Sequence, residues 1–172
     1  MGLWDELGCH QGLPNRWQRG IQVLAATAPG ARLFSLTQRH LDRVTERLTR
    51  GRVNATQPFS ALPTVTLATT GARSGARREA YLVAIPADGD IAVIGSNYGG
   101  RNTPGWVHNL RADPAVEVRL GQRTLPATAR LLTGSEAEKV WATARAMYPG
   151  FASYPVRASH REITVWRLTA RA

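Results

Sequence analysis

The segment Thr69-Thr70-Gly71-Ala72-Arg73-Ser74-Gly75-Ala76-Arg77-Arg78 carries the densest set of anion-binding groups in this 172-residue chain. Its two glycines allow sharp turns, so several N–H groups can converge with the Arg73 guanidinium and the Ser74 hydroxyl on one anion, as a phosphate requires. Taken alone, so short a Gly-rich stretch is better read as a strand-connecting turn with solvated arginines. A second set runs from Ser96-Asn97-Tyr98-Gly99-Gly100-Arg101-Asn102 into Thr103-Pro104-Gly105-Trp106-Val107-His108-Asn109-Leu110, where a helix N-terminus would offer unpaired N–H groups and a positive dipole end. On that short helix Trp106 reads as core, and Asn109 as a cap or a solvent-facing residue.

Other chemistries are poorly represented. Cys9 is the single cysteine, so no internal disulfide can form, and His10, His40, His108 and His160 lack zinc-ligand spacing, so no metal site is expected. No Ser-His-Asp or paired-carboxylate arrangement is evident. The net charge of +10 comes almost wholly from arginine, Lys139 being the only lysine, and it implies a multiply anionic partner: nucleic acid, an acidic membrane surface, or a phosphorylated and carboxylated cofactor. The arginines are spread from Arg16 to Arg171 rather than gathered with aromatics in one groove, which argues against nucleic acid.

The elements that must position these residues follow from periodicity. Residues 1–30 mix Gly, Pro, Trp and charge without a period and read as a loosely ordered extension. Ile21 to Ala28 faintly resembles a signal peptide but lies late and contains Gln22, so a cytoplasmic protein is expected. Leu33, Phe34, Leu41, Val44 and Leu48 form the apolar stripe of an amphipathic helix stopped by Gly51. Strands are predicted over Thr64–Thr70, Glu79–Ile85, Asp90–Ser96, Ala115–Leu120, Thr124–Leu132 and Glu162–Thr169, with hairpin turns at Asp88-Gly89 and Gly121-Gln122. Thr103-Pro104 should cap a helix over 105–111, and Ser135 with Glu138 should form the capping box of another. Short strands joined by tight turns point to an antiparallel barrel of about six strands with peripheral helices, an α+β fold that is mainly β. The organisation expected is an extension over 1–60 and a barrel domain over 61–172.

Together the two loop segments resemble the deazaflavin-dependent nitroreductases and their actinobacterial split-barrel relatives. The matching string runs from Thr70 through Gly75, Ser96 and Gly99, Asn102 through Pro114, and Met147-Tyr148-Pro149. The resemblance implies a split barrel of the FMN-binding type that holds the deazaflavin coenzyme F420. It assigns Ala72, Arg73 and Ser74, with Arg78 nearby, to the coenzyme phosphate. Ser96 and Asn97 would line the deazaflavin and its tail, and Pro104, Gly105, Trp106 and Asn109 would pack along the ring and ribityl chain. Tyr148 and Tyr154 would border the acceptor, one of them as proton donor or orienter. Ala72 and Asn97 stand where relatives often carry basic residues, with Arg77 and Arg101 as replacements, and Phe151 lacks a hydroxyl found in relatives.

The expected function is therefore transfer of hydride from reduced F420 to a small-molecule acceptor: a quinone, an enone, a nitroaromatic or another unsaturated compound. The protein would supply orientation and electrostatics. The alternatives are an FMN-binding reductase or oxidase of the same superfamily, or a non-catalytic basic binder of an anionic cofactor or nucleic acid. The assembly expected is a monomer or homodimer. The helix over 33–48, with five arginines between Arg32 and Arg50, packs on the barrel in the first reading and makes peripheral contact with an acidic membrane in the second.

Overall fold

The computed structural model describes residues 2–10 and 62–171. Seven strands, β1 (Thr64–Thr70), β2 (Arg77–Val83), β3 (Ile85–Ala87), β4 (Asp90–Ile94), β5 (Ala115–Leu120), β6 (Arg123–Leu132) and β7 (Val165–Ala170), form one sheet in the order β2-β1-β5-β6-β7-β4-β3. Every neighbouring pair is antiparallel. The helices are α1 (Leu3–Leu7), α2 (Gly105–Ala112), α3 (Gly134–Met147) and α4 (Tyr154–Arg157).

Strand order dictates the shape. β2 and β3 occupy opposite edges of the sheet, yet only Ala84 separates them in sequence. One residue spans a few ångströms, so the sheet must curl until its edges meet, giving a mainly β barrel with peripheral helices. The sequence predicts one strand over Glu79–Ile85; it is broken at Ala84, whose N–H donates to the Pro63 carbonyl at 2.8 Å. The hairpin turns fall as expected, with Asp88 and Gly89 at φ 51° and 84° and Gly121 at 58°.

The barrel interior holds Val65, Leu67, Ile91, Val93, Val116, Val118, Trp166 and Leu168. A second apolar cluster lies beneath α3, where Val140, Trp141, Ala144 and Met147 meet Ile85, Ala92, Ile94, Leu132 and Val165. β4 serves both: Ile91 and Val93 point inward while Ala92 and Ile94 face α3, so all five of its residues are buried.

Local corrections concern caps and the N-terminus. Pro104 is the N-cap of α2, and Thr133 that of α3; neither helix has a side-chain cap, so the Thr103 cap and the Ser135–Glu138 capping box do not form. Gly134, at φ 54°, starts α3 two residues earlier than the box requires, and Glu136 in its first turn instead takes a two-pronged hydrogen bond from Arg130 at 3.0 and 2.7 Å. Residues 2–10 are not loosely ordered. Leu3, Leu7 and Cys9 are buried in the barrel core, the Leu3 N–H donates to Asp90 Oδ1 at 3.2 Å, and the Trp4 N–H donates to the Gly89 carbonyl at 3.0 Å. One turn of helix has no readable period, but its two leucines find apolar walls inside the barrel. The expected helix over 33–48 and the signal-like run over 21–28 lie outside the described residues. Among those residues, no helix is long and apolar enough to cross a membrane.

Candidate functional site

The β1–β2 connection is tightly tied. The Gly71 N–H donates to Ala76 O at 2.8 Å, and the Ser74 and Gly75 N–H groups both donate to Gly71 O at 3.1 and 2.8 Å. Gly75 takes φ 64°, and a Cβ on Gly71 would lie 2.8 Å from Ser74 Oγ. The Ala76 N–H reaches Ser74 Oγ at 3.4 Å, and that of Ala72 donates to Asn109 Oδ1 at 3.0 Å. The convergent amides expected from the sequence are thus mostly spent inside the turn. The Arg73 N–H has no partner among the described residues, and the side chains of Arg73, Ser74 and Arg78 are exposed.

Asn109 is the residue that fastens this turn to the fold. It is 9 % exposed, sits on α2, accepts from Ala72, and donates through Nδ2 to Thr69 Oγ1 at 2.9 Å. Expected along the coenzyme, Asn109 is seen here bracing the loop from beneath. Trp106 likewise turns into the barrel core at 8 % exposure rather than toward an open surface. Pro104 and Gly105 remain accessible at the start of α2, where a Cβ on Gly105 would meet nothing within 4 Å.

The segment after β4 bends through three successive left-handed residues, Asn97, Tyr98 and Gly99, at φ 46°, 55° and 76°. Asn97 Nδ2 donates to Asn102 O at 3.1 Å, linking the turn to the approach of α2. Ser96 is buried; its carbonyl accepts from Gly99 N at 2.9 Å and from Arg161 Nη2 at 2.6 Å. Nothing in the sequence points to Arg161, because guanidinium-to-carbonyl contacts between residues 61 to 66 apart leave no local pattern.

Tyr148 and Tyr154 come together, but in a buried aromatic cluster. Phe151 meets Tyr148, Tyr154 and Trp141 edge-on at 5.9, 5.4 and 6.3 Å, and Tyr98 meets Tyr154 at 6.2 Å. Burial raises both phenol pKa values, so both hydroxyls stay protonated at neutral pH.

Charge distinguishes the two sides of the loop. Arg77, expected to stand in for a missing tail contact, is committed to Glu79 and Glu117. Arg73, Arg78, Arg101 and Arg111 have no carboxylate within ion-pair distance among the described residues. Exposed cations without acids, an unspent amide and open space at Gly75 and Gly105 fit an elongated anion such as a phosphodiester coenzyme.

The fold is an antiparallel barrel with exposed arginines on its β1–β2 turn. The model of the F420H(2)-dependent quinone reductase family matches residues 38–170, and the chain belongs to that family. The match reaches back into the stretch read as an N-terminal extension. The F420H(2)-dependent quinone reductase Rv1261c of Mycobacterium tuberculosis is 39% identical over 85 residues, 49% of this chain. That alignment spans 56% of the relative, so the chain covers little more than half the length of such quinone reductases. A solved F420-H2-dependent reductase superposes with TM-score 0.56 at 37% identity, covering 62% of this chain and 93% of that one. Another solved relative, described as a domain-swapped dimer, gives 0.58 at 35% identity over 73% and 94% of the two chains.

Proposed function

We propose that this chain binds reduced F420 and reduces quinone-like acceptors. The observation that carries the reading is the acid-free set of Arg73 and Arg78 with the unspent Arg73 amide, on a turn that Asn109 holds rigid. When bound, the coenzyme supplies the hydride. Arg73, Ser74 and Arg78 hold its phosphate by charge-assisted hydrogen bonds, and Asn97, Pro104 and Gly105 border its length. Trp106 and Asn109 act from beneath, the first by packing α2 and the second by fixing the turn. Tyr148, Tyr154 and Phe151 form an apolar wall that excludes water, with Tyr148 as orienter of the acceptor oxygen or source of its proton. Acceptors are quinones and, by the same chemistry, enones or nitroaromatics. The protein works in the cytoplasm as a monomer or homodimer.

Titrating the chain with F420 and, separately, with flavin mononucleotide tests the cofactor. Tight F420 binding with weak flavin binding is expected. Arg73→Ala should weaken F420 binding tenfold to a hundredfold, about 1.5–3 kcal/mol, the range for hydrogen bonds to charged groups. Unchanged affinity in that variant would move the phosphate elsewhere.

A further inference from the structure

The backbone from Gly95 to Arg101 is held in a form its sequence disfavours. Left-handed φ is easy for glycine but costly for tyrosine, and here Asn97 and Tyr98 adopt it in succession. Such strain persists only where the surroundings enforce it. The enforcing group is Arg161, just before β7. Its Nε donates to Gly100 O at 3.0 Å, Nη1 to Gly95 O at 3.2 Å and Glu162 O at 3.3 Å, and Nη2 to Ser96 O at 2.6 Å. One planar fork thus gathers carbonyls from both ends of the strained turn. A lysine ammonium, a point charge without that fork, cannot reach them together.

Neighbouring contacts act in the same direction. His160 Nε2 lies 2.9 Å from Arg101 O, and the Gly95 N–H donates to Thr164 O at 2.9 Å. At Gly99 a Cβ would come within 2.7 Å of Arg157 Cβ, so both the positive φ and the close approach require glycine there. What the turn presents is the Tyr98 ring, edge-on to Tyr154. The phosphate turn at 71–76 is held separately, by Asn109 and Thr69.

We propose that Arg161 is a positioning residue for the acceptor end of the site: by clamping Gly95, Ser96 and Gly100 it fixes the left-handed turn that sets Tyr98 against the aromatic wall. The proposal rests on the functional reading above. It separates two grips, Asn109 for the phosphate turn and Arg161 for the acceptor wall, so loss of Arg161 must act chiefly on the acceptor end and reach the coenzyme only through Asn97.

The test compares Arg161→Met, Arg161→Lys and Gly99→Ala with the parent by deuterium exchange, F420 titration and menadione kinetics. In Arg161→Met, amide exchange over 96–101 should quicken tenfold or more while 71–76 stays within twofold. The Kd for oxidised F420, reached only through Asn97, should rise less than fivefold, and KM for menadione should rise at least tenfold with a smaller fall in kcat. Arg161→Lys should recover only part of this, and Gly99→Ala, which disturbs the turn without touching the guanidinium, should reproduce it. Parental exchange over 96–101 or a parental menadione KM in Arg161→Met overturns the proposal. So does a rise in F420 Kd as large as the rise in KM, which would place Arg161 in the coenzyme grip. If Arg161→Met does not fold, the lysine and alanine variants decide by the same criteria. A parent chain that binds no F420 defeats the functional reading instead, and the clamp is then judged by exchange alone.

Discussion

Asn109 shows how one carboxamide can decide whether a loop is a site. Its oxygen takes the Ala72 amide and its nitrogen reaches the Thr69 hydroxyl, so the turn bearing Arg73 cannot swing independently of α2. Replacing it with alanine should destabilise the fold by about 1–3 kcal/mol, because the buried Thr69 hydroxyl and the part-buried Ala72 amide lose their partner. Asn109→Asp is more telling. A carboxylate can still accept from Ala72 but cannot donate to Thr69, and it adds a negative charge under the turn proposed to bind the phosphate. F420 affinity should therefore fall further in Asn109→Asp than in Asn109→Ala, as titration would show; the reverse order would mean that the charge at this position is not felt. The sequence displayed Arg73 and Ser74 plainly, since charge and glycine spacing are local. It hid the roles of Asn109 and Arg161, which arise only when residues 37 and 66 positions apart are brought together.

Among the elements, the strands were the most legible, because alternation and turn chemistry are properties of consecutive residues. β1 and β5 run over the residues predicted, whereas the run from Glu79 to Ile85 gave no warning of its break at Ala84. That break is imposed by barrel closure and belongs to no local pattern. The same is true of α1, whose five residues form a helix because Leu3 and Leu7 have an apolar interior to enter and Asp90 to receive the first amide. Asp90 also accepts from Arg167 Nε at 2.9 Å and Thr169 Oγ1 at 3.0 Å, so one carboxylate joins α1, β4 and β7. Leu3 is fully buried, and Leu3→Ala should cost about 2–5 kcal/mol, measurable by urea unfolding. A cost below about 1 kcal/mol would mean that α1 merely rests on the barrel.

For the whole molecule, burial of acidic groups that stay neutral has a consequence at high pH. Burial pushes the Cys9 thiol up from 9.0 to about 11 and raises Tyr148 and Tyr154 above the usual phenol range. The folded state therefore keeps protons that the unfolded chain releases, from about pH 9 for a thiol and about pH 10 for a phenol. Stability drawn from these groups is intact below that window and is lost as pH rises through it. Melting temperature should fall from about pH 9 upward. Cys9→Ala should remove the part of the fall between 9 and 11, and an unchanged slope in that variant would refute the assignment. Barrel closure has a further consequence, for association between copies. Even curled, the sheet ends in two edge strands among the described residues, β2, which pairs with β1, and β3, which pairs with β4. The exposed end of β2 is Arg77-Arg78-Glu79, so an approaching strand would meet a dense line of charge. The side chains beside the Gly71–Gly75 turn thus also keep this edge of the sheet from templating aggregation.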